Sequence, residues 1–148
     1  MKKLICIITL FSAVALSCCH SDHDYDELPR PIAEFLSNYW ADPDIESYTQ
    51  PTAQKYVVII KNGPSLIFDE DYKWTDIDGN GLPLPEILLF DQLPEKLYDY
   101  IESGSQLNQV FTISRDARDY YVKLLDSNLT YDIQTQTVHE VEAGTDVA

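Results

Sequence analysis

Residues 76–81 contain the oxygen-bearing side chains that a calcium loop uses. Asp76, Asp78 and Asn80 stand at positions 1, 3 and 5 of the segment, and a glycine stands at position 6, as in an EF-hand loop. Position 12 of such a loop should be a bidentate glutamate, but Ile87 stands there. The sequence therefore predicts an Asp/Asn/Gly turn, with a metal site formed by Asp76, Asp78 and Asn80 as the alternative.

Catalytic chemistry has few candidate residues. A serine or cysteine nucleophile needs a base within hydrogen-bond reach, usually a histidine. All three cysteines lie within the first 19 residues, and the only histidine after His23 is His139. The 25 Asp and Glu residues do not single out an acid–base pair by their spacing. We therefore expect a protein that is not an enzyme and has no cofactor; the alternative is a hydrolase of envelope polymers that uses a carboxylate pair.

The N-terminus has the features of a lipoprotein signal. Two lysines precede an apolar run at 4–16, which is shorter than the ~20 residues that a bilayer-spanning helix needs. Cys18 and Cys19 follow small residues, so we expect a signal peptide at 1–17 and a lipid on one of these cysteines, with Cys18 favoured. The alternative is that the cysteines belong to a removed signal or form a disulfide, although the later chain has no cysteine to pair with them.

Residues 18–27 are polar and acidic and are predicted to be a tether. His20 and His23 stand there among aspartates and could hold a metal weakly, at the cost of ordering a flexible segment. The formal charge of the chain is -15, and loss of the two N-terminal lysines leaves 8 basic and 25 acidic residues, a charge of -17. Such a charge repels phosphate backbones, so we expect no nucleic-acid partner and membrane contact through the lipid anchor only.

The rest of the chain repeats a pattern at a spacing of 65 residues. Leu28-Pro29 recurs as Leu93-Pro94, and Tyr56-Val57 recurs as Tyr121-Val122. A chain of 148 residues allows one ordinary domain or two very small ones, and half of it alone would bury only a marginal core. We therefore expect two repeats that form one cooperative body. The predicted repeats are residues 28–86 and 87–145.

Each repeat is predicted to begin with an amphipathic helix and to continue as strands. Ile32, Leu36 and Tyr39 lie on one helical face, and Leu97 and Ile101 begin the same pattern. Short β-branched or aromatic segments follow both helices. The linker at 82–90 is apolar and is expected to pack between the repeats. The predicted strands are 45–49, 55–61, 65–69 and 72–77, then 110–114, 120–126, 128–132 and 137–142.

A comparison of the repeats without gaps predicts which face of the sheet is open. Val58 then corresponds to Lys123, and a lysine is rarely buried without a partner. We expect an α+β fold in which helices cover one face of an antiparallel sheet, and another chain or loops covering the second face are the alternative. The residues predicted to face inward include Val57, Ile59, Val122, Leu124, Leu129 and Tyr131. The residues predicted to face outward and bind a partner are Tyr56, Val58, Ile60, Ile67, Tyr121, Lys123, Leu125 and Thr130.

These motifs resemble the PepSY-like family of secreted Bacteroides-type proteins, which is also described as β-lactamase-inhibitor-like. The resemblance rests on Tyr-Val-Val-Ile-Ile-Lys-Asn-Gly at 56–63, Leu-Ile-Phe-Asp at 66–69 and Lys-Trp-Thr-Asp-Ile-Asp at 73–78. It covers residues 28–142 and implies tandem α+β repeats in a non-enzymatic envelope protein. The second half departs from the pattern, because Thr137 or Val138 stands where a tryptophan is expected.

Taken together, these features predict a lipid-anchored protein of the outer membrane that faces the periplasm or the cell surface. We expect the open face of its sheet to bind a peptide, a protein or another envelope component. A calcium-dependent structural module is a further alternative.

Overall fold

The computed structural model describes residues 27–144, which contain three α-helices and eight β-strands. No helix within this range is long and apolar enough to cross a membrane. The helices are α1 (Arg30–Tyr39), α2 (Glu86–Gln92) and α3 (Glu95–Ser103), and a short 3-10 turn spans Leu107–Gln109. The strands are β1 (Ile45–Thr52), β2 (Lys55–Ile60), β3 (Ser65–Asp69), β4 (Trp74–Asp78), β5 (Thr112–Arg115), β6 (Asp119–Lys123), β7 (Ser127–Asp132) and β8 (Thr137–Glu142).

All eight strands form one antiparallel sheet in sequence order, from β1 at one edge to β8 at the other. The β4–β5 pairing, in which Ile77 lies opposite Ile113, joins the first four strands to the last four. The predicted α+β class and the antiparallel sheet are therefore confirmed. The interpretation of the two halves as tandem repeats stays a prediction.

The helices α1 and α3 form where the apolar spacing predicts them. Pro29 and Pro94 are their N-caps, a place where the missing N–H of proline costs no hydrogen bond. Ile32, Leu36 and Leu97 are all fully buried against the sheet. The α1 helix ends where the chain becomes extended, and α3 ends at a glycine. One apolar stripe on each helix thus covers one face of the sheet.

The linker packs against the core through a helix that the sequence analysis missed, and its place between two repeats stays a prediction. Leu88 and Leu89 of α2 are fully buried, and Leu84 just before it is 4% exposed. Ile87 and Phe90 remain more than half exposed on the outer side. Two prolines just before seven helical residues concealed this short helix, because so short a segment shows no clear period.

The buried face of β2 is displaced by one residue from the prediction. Val58 is fully buried and Ile60 is 6% exposed, whereas Val57 and Ile59 are only half-buried on the opposite face. Tyr56 lies on the same face as Val58, because successive side chains alternate. The prediction that Tyr56, Val58 and Ile60 lie on the open face is therefore wrong, as is the inward assignment of Val57 and Ile59.

The error has its cause in β1. The pairing of β1 with β2 contains register shifts between Ile45 and Ser47 and again further along, whereas β5 pairs with β6 without a shift. An extra residue in one hairpin changes the spacing between the halves, so Val58 shares its position with Val122, 64 residues later. A slip of one residue exchanges the two faces of a strand. In the second half Val122, with Leu124, Leu129 and Tyr131, is buried as predicted.

A chain of hydrogen bonds fixes the helices to the middle of the sheet. The Trp74 Nε1–H donates to Gln92 Oε1 at 2.8 Å, and the Gln92 Nε2–H donates to the Tyr39 hydroxyl at 2.6 Å. The Tyr39 hydroxyl donates in turn to Asp91 Oδ2 at 3.3 Å. Burial is the main reason why the pKa of Tyr39 is raised. Strand β4 and helices α1 and α2 are therefore held by one polar network.

A second polar contact fixes α3 to the far edge of the sheet. The Tyr100 hydroxyl donates to Glu140 Oε2 at 2.7 Å, and the Ser127 hydroxyl donates to Glu140 Oε1 at 2.6 Å. These two bonds, with Ser127 first, lower the pKa of the Glu140 carboxyl below its ordinary value. The ionised Glu140 thus joins α3, β7 and β8.

Replacing Ile60 with Ala tests the corrected register. Ile60→Ala should lower the free energy of unfolding by about 2–4 kcal/mol, because it leaves a cavity in the core. Ile59→Ala is the matched control, and it should cost less than half as much because Ile59 is only half-buried on the other face. Urea unfolding followed by circular dichroism measures both values. Equal losses, or a larger loss for Ile59→Ala, would restore the original face assignment.

The Glu140 contact predicts a pH dependence of stability. Because its pKa is lower in the folded than in the unfolded chain, its contribution is present above the unfolded pKa of about 4.3 and is lost as the pH falls through the folded pKa. The native chain should therefore be more stable than Glu140→Gln at pH 7, and this difference should shrink under acid. Urea unfolding between pH 7 and pH 3 measures it. In a Tyr100→Phe, Ser127→Ala background the pH-dependent difference should disappear; its persistence would assign it to another group.

Candidate functional site

The sheet face that points away from the helices is the candidate site, and we call it the open face. Its central row crosses all eight strands, and every member is half-buried or exposed. No segment within residues 27–144 covers this face. The alternative that loops cover it therefore does not hold for the described residues. The central row consists of Thr49, Val57, Ile67, Asp76, Ser114, Tyr121, Thr130 and His139.

The open face changes character along its width. On β2 and β3 it presents the half-buried aliphatic side chains of Val57, Ile59 and Ile67. On β5 to β7 mostly polar residues line a shallow depression of about 240 Å³. The register places two rows of side chains next to each other there. These rows are Thr112, Lys123 and Asn128, and Ser114, Tyr121 and Thr130.

The depression offers hydroxyl, amide and ammonium groups on a rigid base. Directly opposite side chains on neighbouring strands lie within contact range of one another, so the two rows act as one surface. Ile113, Val122 and Leu129 alternate with these residues and are buried on the covered face. The polar groups are therefore held in place by core packing on the other side of the sheet.

The ring of Tyr121 is fixed over the turn between β5 and β6. Its hydroxyl lies 3.2 Å from Asp116 Oδ2 and 3.4 Å from Asp119 Oδ2. Burial first, and then the charge of Asp116, raise the pKa of Tyr121, so the phenol stays protonated and donates. Backbone N–H groups of Asp119 and Arg118 lower the pKa of Asp116. This arrangement presents a neutral aromatic surface, 40% exposed, beside Lys123.

The structure brings together part of the predicted partner-binding set. Tyr121, Lys123 and Thr130 line the depression, and Ile67 lies on the same face three strands away, about 14 Å by strand spacing. Leu125 is 61% exposed in the turn between β6 and β7.

Tyr56 belongs instead to an aromatic group near the β1 edge of the covered face. Its ring stacks with Tyr48 at a centroid distance of 6.4 Å and contacts Tyr72 at 5.1 Å. The hydrogen bond between Tyr56 and Tyr72 is the largest of several causes that raise the pKa of Tyr56. Tyr56 therefore lies apart from the depression, on the other side of the sheet.

Sequence reasoning missed Thr112, Ser114 and Asn128. All three lie in segments that were predicted as strands, but none was singled out as a site residue. The alternation around the apolar Ile113 and Leu129 was the available signal, since the neighbours of an inward residue must face outward. The comparison of the halves did not use this signal for β5.

The segment 76–81 contains the last residues of β4, up to Asp78, and then the predicted turn. The Asn80 N–H donates to Asp78 Oδ1 at 2.8 Å, and the Asn80 Nδ2–H donates to the carbonyl of Gly63 at 2.8 Å. Asn80 adopts a left-handed φ of 53°, which asparagine tolerates well. The Thr75 hydroxyl donates to Asp76 Oδ2 at 2.8 Å. These bonds fix the end of β4 to the turn between β2 and β3.

Metal binding by Asp76, Asp78 and Asn80 stays a prediction. In the part of the chain that the structure describes, no three His, Cys, Asp or Glu side chains lie close enough together to hold a metal ion. His139 is exposed on the edge strand β8, with the Thr137 hydroxyl 3.4 Å from its Nε2. Cys18, Cys19, His20 and His23 lie outside the described residues.

The sequence was also compared with those of known protein families. The sequence matches the family described as β-lactamase-inhibitor-like, PepSY-like, in two overlapping segments, residues 14–73 and 54–139. The protein belongs to the PepSY-like family. No curated protein matches this PepSY-like sequence.

Solved structures share the PepSY-like fold seen here. A Bacteroides vulgatus protein of the DUF2874 family, described as periplasmic, has 24% identity and a TM-score of 0.64 over 78% of this chain and 91% of that chain. A Bacteroides thetaiotaomicron protein, described as calcium-regulated and periplasmic, has 21% identity and a TM-score of 0.65 over 80% and 93%. A second B. vulgatus protein, described as periplasmic and of unknown function, has 17% identity and a TM-score of 0.62 over 80% and 95%.

The descriptions of the matched family and of these three structures name no enzymatic class. At such identities the three structures establish the fold alone. The chemistry of the site must therefore be argued from the residues of this PepSY-like chain.

Replacing Asn80 tests the turn against the metal site. Asn80→Ala should lower the free energy of unfolding by about 1–2 kcal/mol, because it removes the bond to Gly63 and places alanine at a left-handed φ. Asn80→Gly is the matched control and should recover the backbone part of the loss. Thermal melts in millimolar calcium and in chelator should give the same midpoints for each chain. A midpoint that calcium raises only when Asn80 is present would establish the metal site instead.

Proposed function

We propose that this protein is a lipid-anchored, non-enzymatic binding protein of the cell envelope, and that a peptide or protein partner docks on its open face. The observation that carries the proposal is the depression that Thr, Ser, Tyr, Lys and Asn side chains line on β5 to β7, in a sheet face that the described residues leave uncovered. Tyr121, Lys123 and Thr130 are the central contact residues. Ile67 extends the contact surface toward β2.

Rigidity supports a binding role. The residues behind the depression are fully or almost fully buried, and α3 is tied to β7 and β8 through Glu140. A surface that is ordered before binding loses little side-chain and backbone entropy when a partner docks. An exposed tyrosine on such a surface gives a large contact area at low entropic cost.

The chemistry of the depression favours a partner with hydrogen-bond acceptors and a negative group. Thr112, Ser114 and Asn128 line the same depression as Lys123 and bring hydroxyl and amide donors to it. Backbone carbonyls and an acidic side chain of a peptide segment match these donors. Asp76 and Asp78 on the neighbouring strand extend the surface with the opposite charge, so a mixed-charge protein surface fits better than a polyanion.

The anchor places this site close to a membrane. The lipid would be attached at Cys18 or Cys19. The tether at 18–27 would then be followed by only a few residues before α1 begins at Arg30. The periplasmic descriptions of the similar Bacteroides structures support an envelope compartment. We propose an outer-membrane anchor, with the domain in the periplasm or on the cell surface.

A calcium-dependent module is the second candidate. One observation favours it, namely that the similar B. thetaiotaomicron protein is described as calcium-regulated, while residues 76–81 of this chain carry oxygen ligands. The calcium arm of the Asn80 experiment separates this candidate from a structural turn.

Site-specific photo-crosslinking in intact cells tests the proposed function. A photoreactive residue at Thr130 should crosslink to a partner, and the same residue at Lys96 on the exposed surface of α3 should not. Lys123→Glu should abolish the Thr130 crosslink, because it reverses the charge of the depression. The crosslinked partner is identified by mass spectrometry.

Lys96→Glu is the matched control for charge. It makes the same charge change at another exposed lysine, so it should leave the crosslink intact. Both substitutions should change stability by no more than about 0.5 kcal/mol, which thermal melts verify. Crosslinks of equal yield from Thr130 and Lys96, or a Thr130 crosslink that survives Lys123→Glu, would remove the open face as the binding site.

A further inference from the structure

A second pocket, of about 500 Å³, lies where β3 and β5 end and β4 and β6 begin. Trp74, Arg115 and Tyr120 form its aromatic and cationic part. Arg115 and Tyr120 are directly opposite each other across the β5–β6 pair, on the covered face of the sheet. The pocket therefore lies on the other side of the sheet from the open face. We call it the rim pocket.

The guanidinium group of Arg115 is held in a defined orientation. Its Cζ lies 4.3 Å from the centroid of the Trp74 ring, and its Nε–H donates to the Trp74 carbonyl at 2.8 Å. One Nη1–H makes a longer contact of 3.4 Å with the Tyr120 hydroxyl. Trp74 itself is fixed through its bond to Gln92. The charged plane is thus oriented before any ligand arrives.

This cation has no ion-pair partner within residues 27–144. A guanidinium group has five N–H donors, and the two contacts described above use only two of them. A half-buried arginine with unused donors beside an open pocket has the chemistry of an anion-binding group.

The carboxylates that line the rim pocket are already engaged in turns. Asp69 Oδ1 accepts the N–H groups of Asp71 and Lys73, both at 2.9 Å. Asp116 Oδ1 accepts the N–H groups of Arg118 and Asp119, both at 2.8 Å. Neither carboxylate lies within ion-pair distance of Arg115, so the charge of Arg115 is left for a ligand.

We propose that the rim pocket binds the free C-terminal carboxylate of a short peptide, with Arg115 as the carboxylate-binding residue. The Nη edge of the guanidinium group accepts a carboxylate in a bidentate geometry. Ile133 and Ala117 provide apolar surface for the last side chain of the peptide. The volume is within the usual range of about 300–1,000 Å³ for small-ligand sites.

Two features favour a peptide carboxylate over a phosphate group. Asp69 and Asp116 stand in the pocket wall, and a dianion next to them meets more repulsion than a monoanion. The second carboxylate oxygen of Asp69 can also accept an N–H group of a peptide, and phosphate has no such group. The overall charge of -15 likewise disfavours a multiply charged anion relative to a singly charged one.

Tryptophan fluorescence gives a direct test, because the chain has only two tryptophans, Trp40 and Trp74. The Trp40→Phe variant of the full chain, purified in detergent, leaves Trp74 in the pocket wall as the single reporter. Titration with acetyl-Ala-Leu as the free acid should give a saturable change. The same peptide as its C-terminal amide should bind at least ~10-fold more weakly, because it lacks the charge-assisted bonds.

Substitutions of Arg115 test the assigned residue in the same background. Arg115→Gln should weaken binding of the peptide acid at least ~10-fold, and Arg115→Lys should recover part of the affinity, since it keeps the charge but not the planar fork. Lys123→Glu, on the open face, should leave this affinity unchanged. That control separates the rim pocket from the proposed function.

The proposal fails if the amide binds as tightly as the acid, or if inorganic phosphate displaces the peptide at equal concentration. It also fails if Trp74 gives no saturable response to the acid. Where Arg115→Gln does not fold, the ¹⁵Nε resonance of Arg115 in the otherwise native chain replaces it. That resonance should shift with the acid and not with the amide, and equal shifts would overturn the assignment.

Discussion

The structure depends on the burial of a single face of one eight-stranded sheet. Three short helices cover that face, and the side chains of every strand alternate between the helices and the outside. Residues of the core and residues of the candidate site therefore alternate along the same strands. Val122 is 2% exposed, while its neighbours Tyr121 and Lys123 line the depression. Any change that moves the register by one residue would exchange core and site together.

Trp74 couples this layered arrangement to the helices and to the rim pocket. Its indole N–H is bound through Gln92 to Tyr39, while its ring and carbonyl hold Arg115. In the second half, Val138 lies opposite Tyr131 as Trp74 lies opposite Phe68. A valine at the edge strand can fill space but cannot hydrogen-bond a helix or bind a guanidinium group. The hydrogen-bond network and the rim pocket therefore form around Trp74, at a position where the second half has Val138.

Local patterns in the sequence were sufficient for most elements. The spacing of Ile32 and Leu36 predicted α1, and alternation predicted strands close to their observed ends. The face of β2 was not predictable from a gapless comparison, because bulges in β1 change the count of residues without leaving a clear sequence signal. The α2 helix was missed because seven residues are too few to show a period.

The depression on the open face was predicted in part from the sequence, whereas the rim pocket was not. Three of the residues at the depression were predicted because alternation in β6 and β7 was interpreted correctly. The rim pocket was not predicted, since Trp74 and Arg115 are 41 residues apart and meet only through the β4–β5 pairing. That pairing crosses the junction of the two halves. No comparison of one half with the other could reveal a site that exists only between them.

The distribution of charge connects these sites to ligand choice. Lys123 and Arg115 lie on neighbouring strands of a strongly acidic chain and present their charges on opposite faces of the sheet. At low salt and at distances beyond about 10 Å, the net negative charge of the chain dominates the electrostatic interaction with a ligand and repels polyanions. At contact distance the local cation decides, so a single carboxylate within a mostly neutral segment is favoured. The proposed partner, a peptide or protein surface with an isolated acidic group, would meet both conditions.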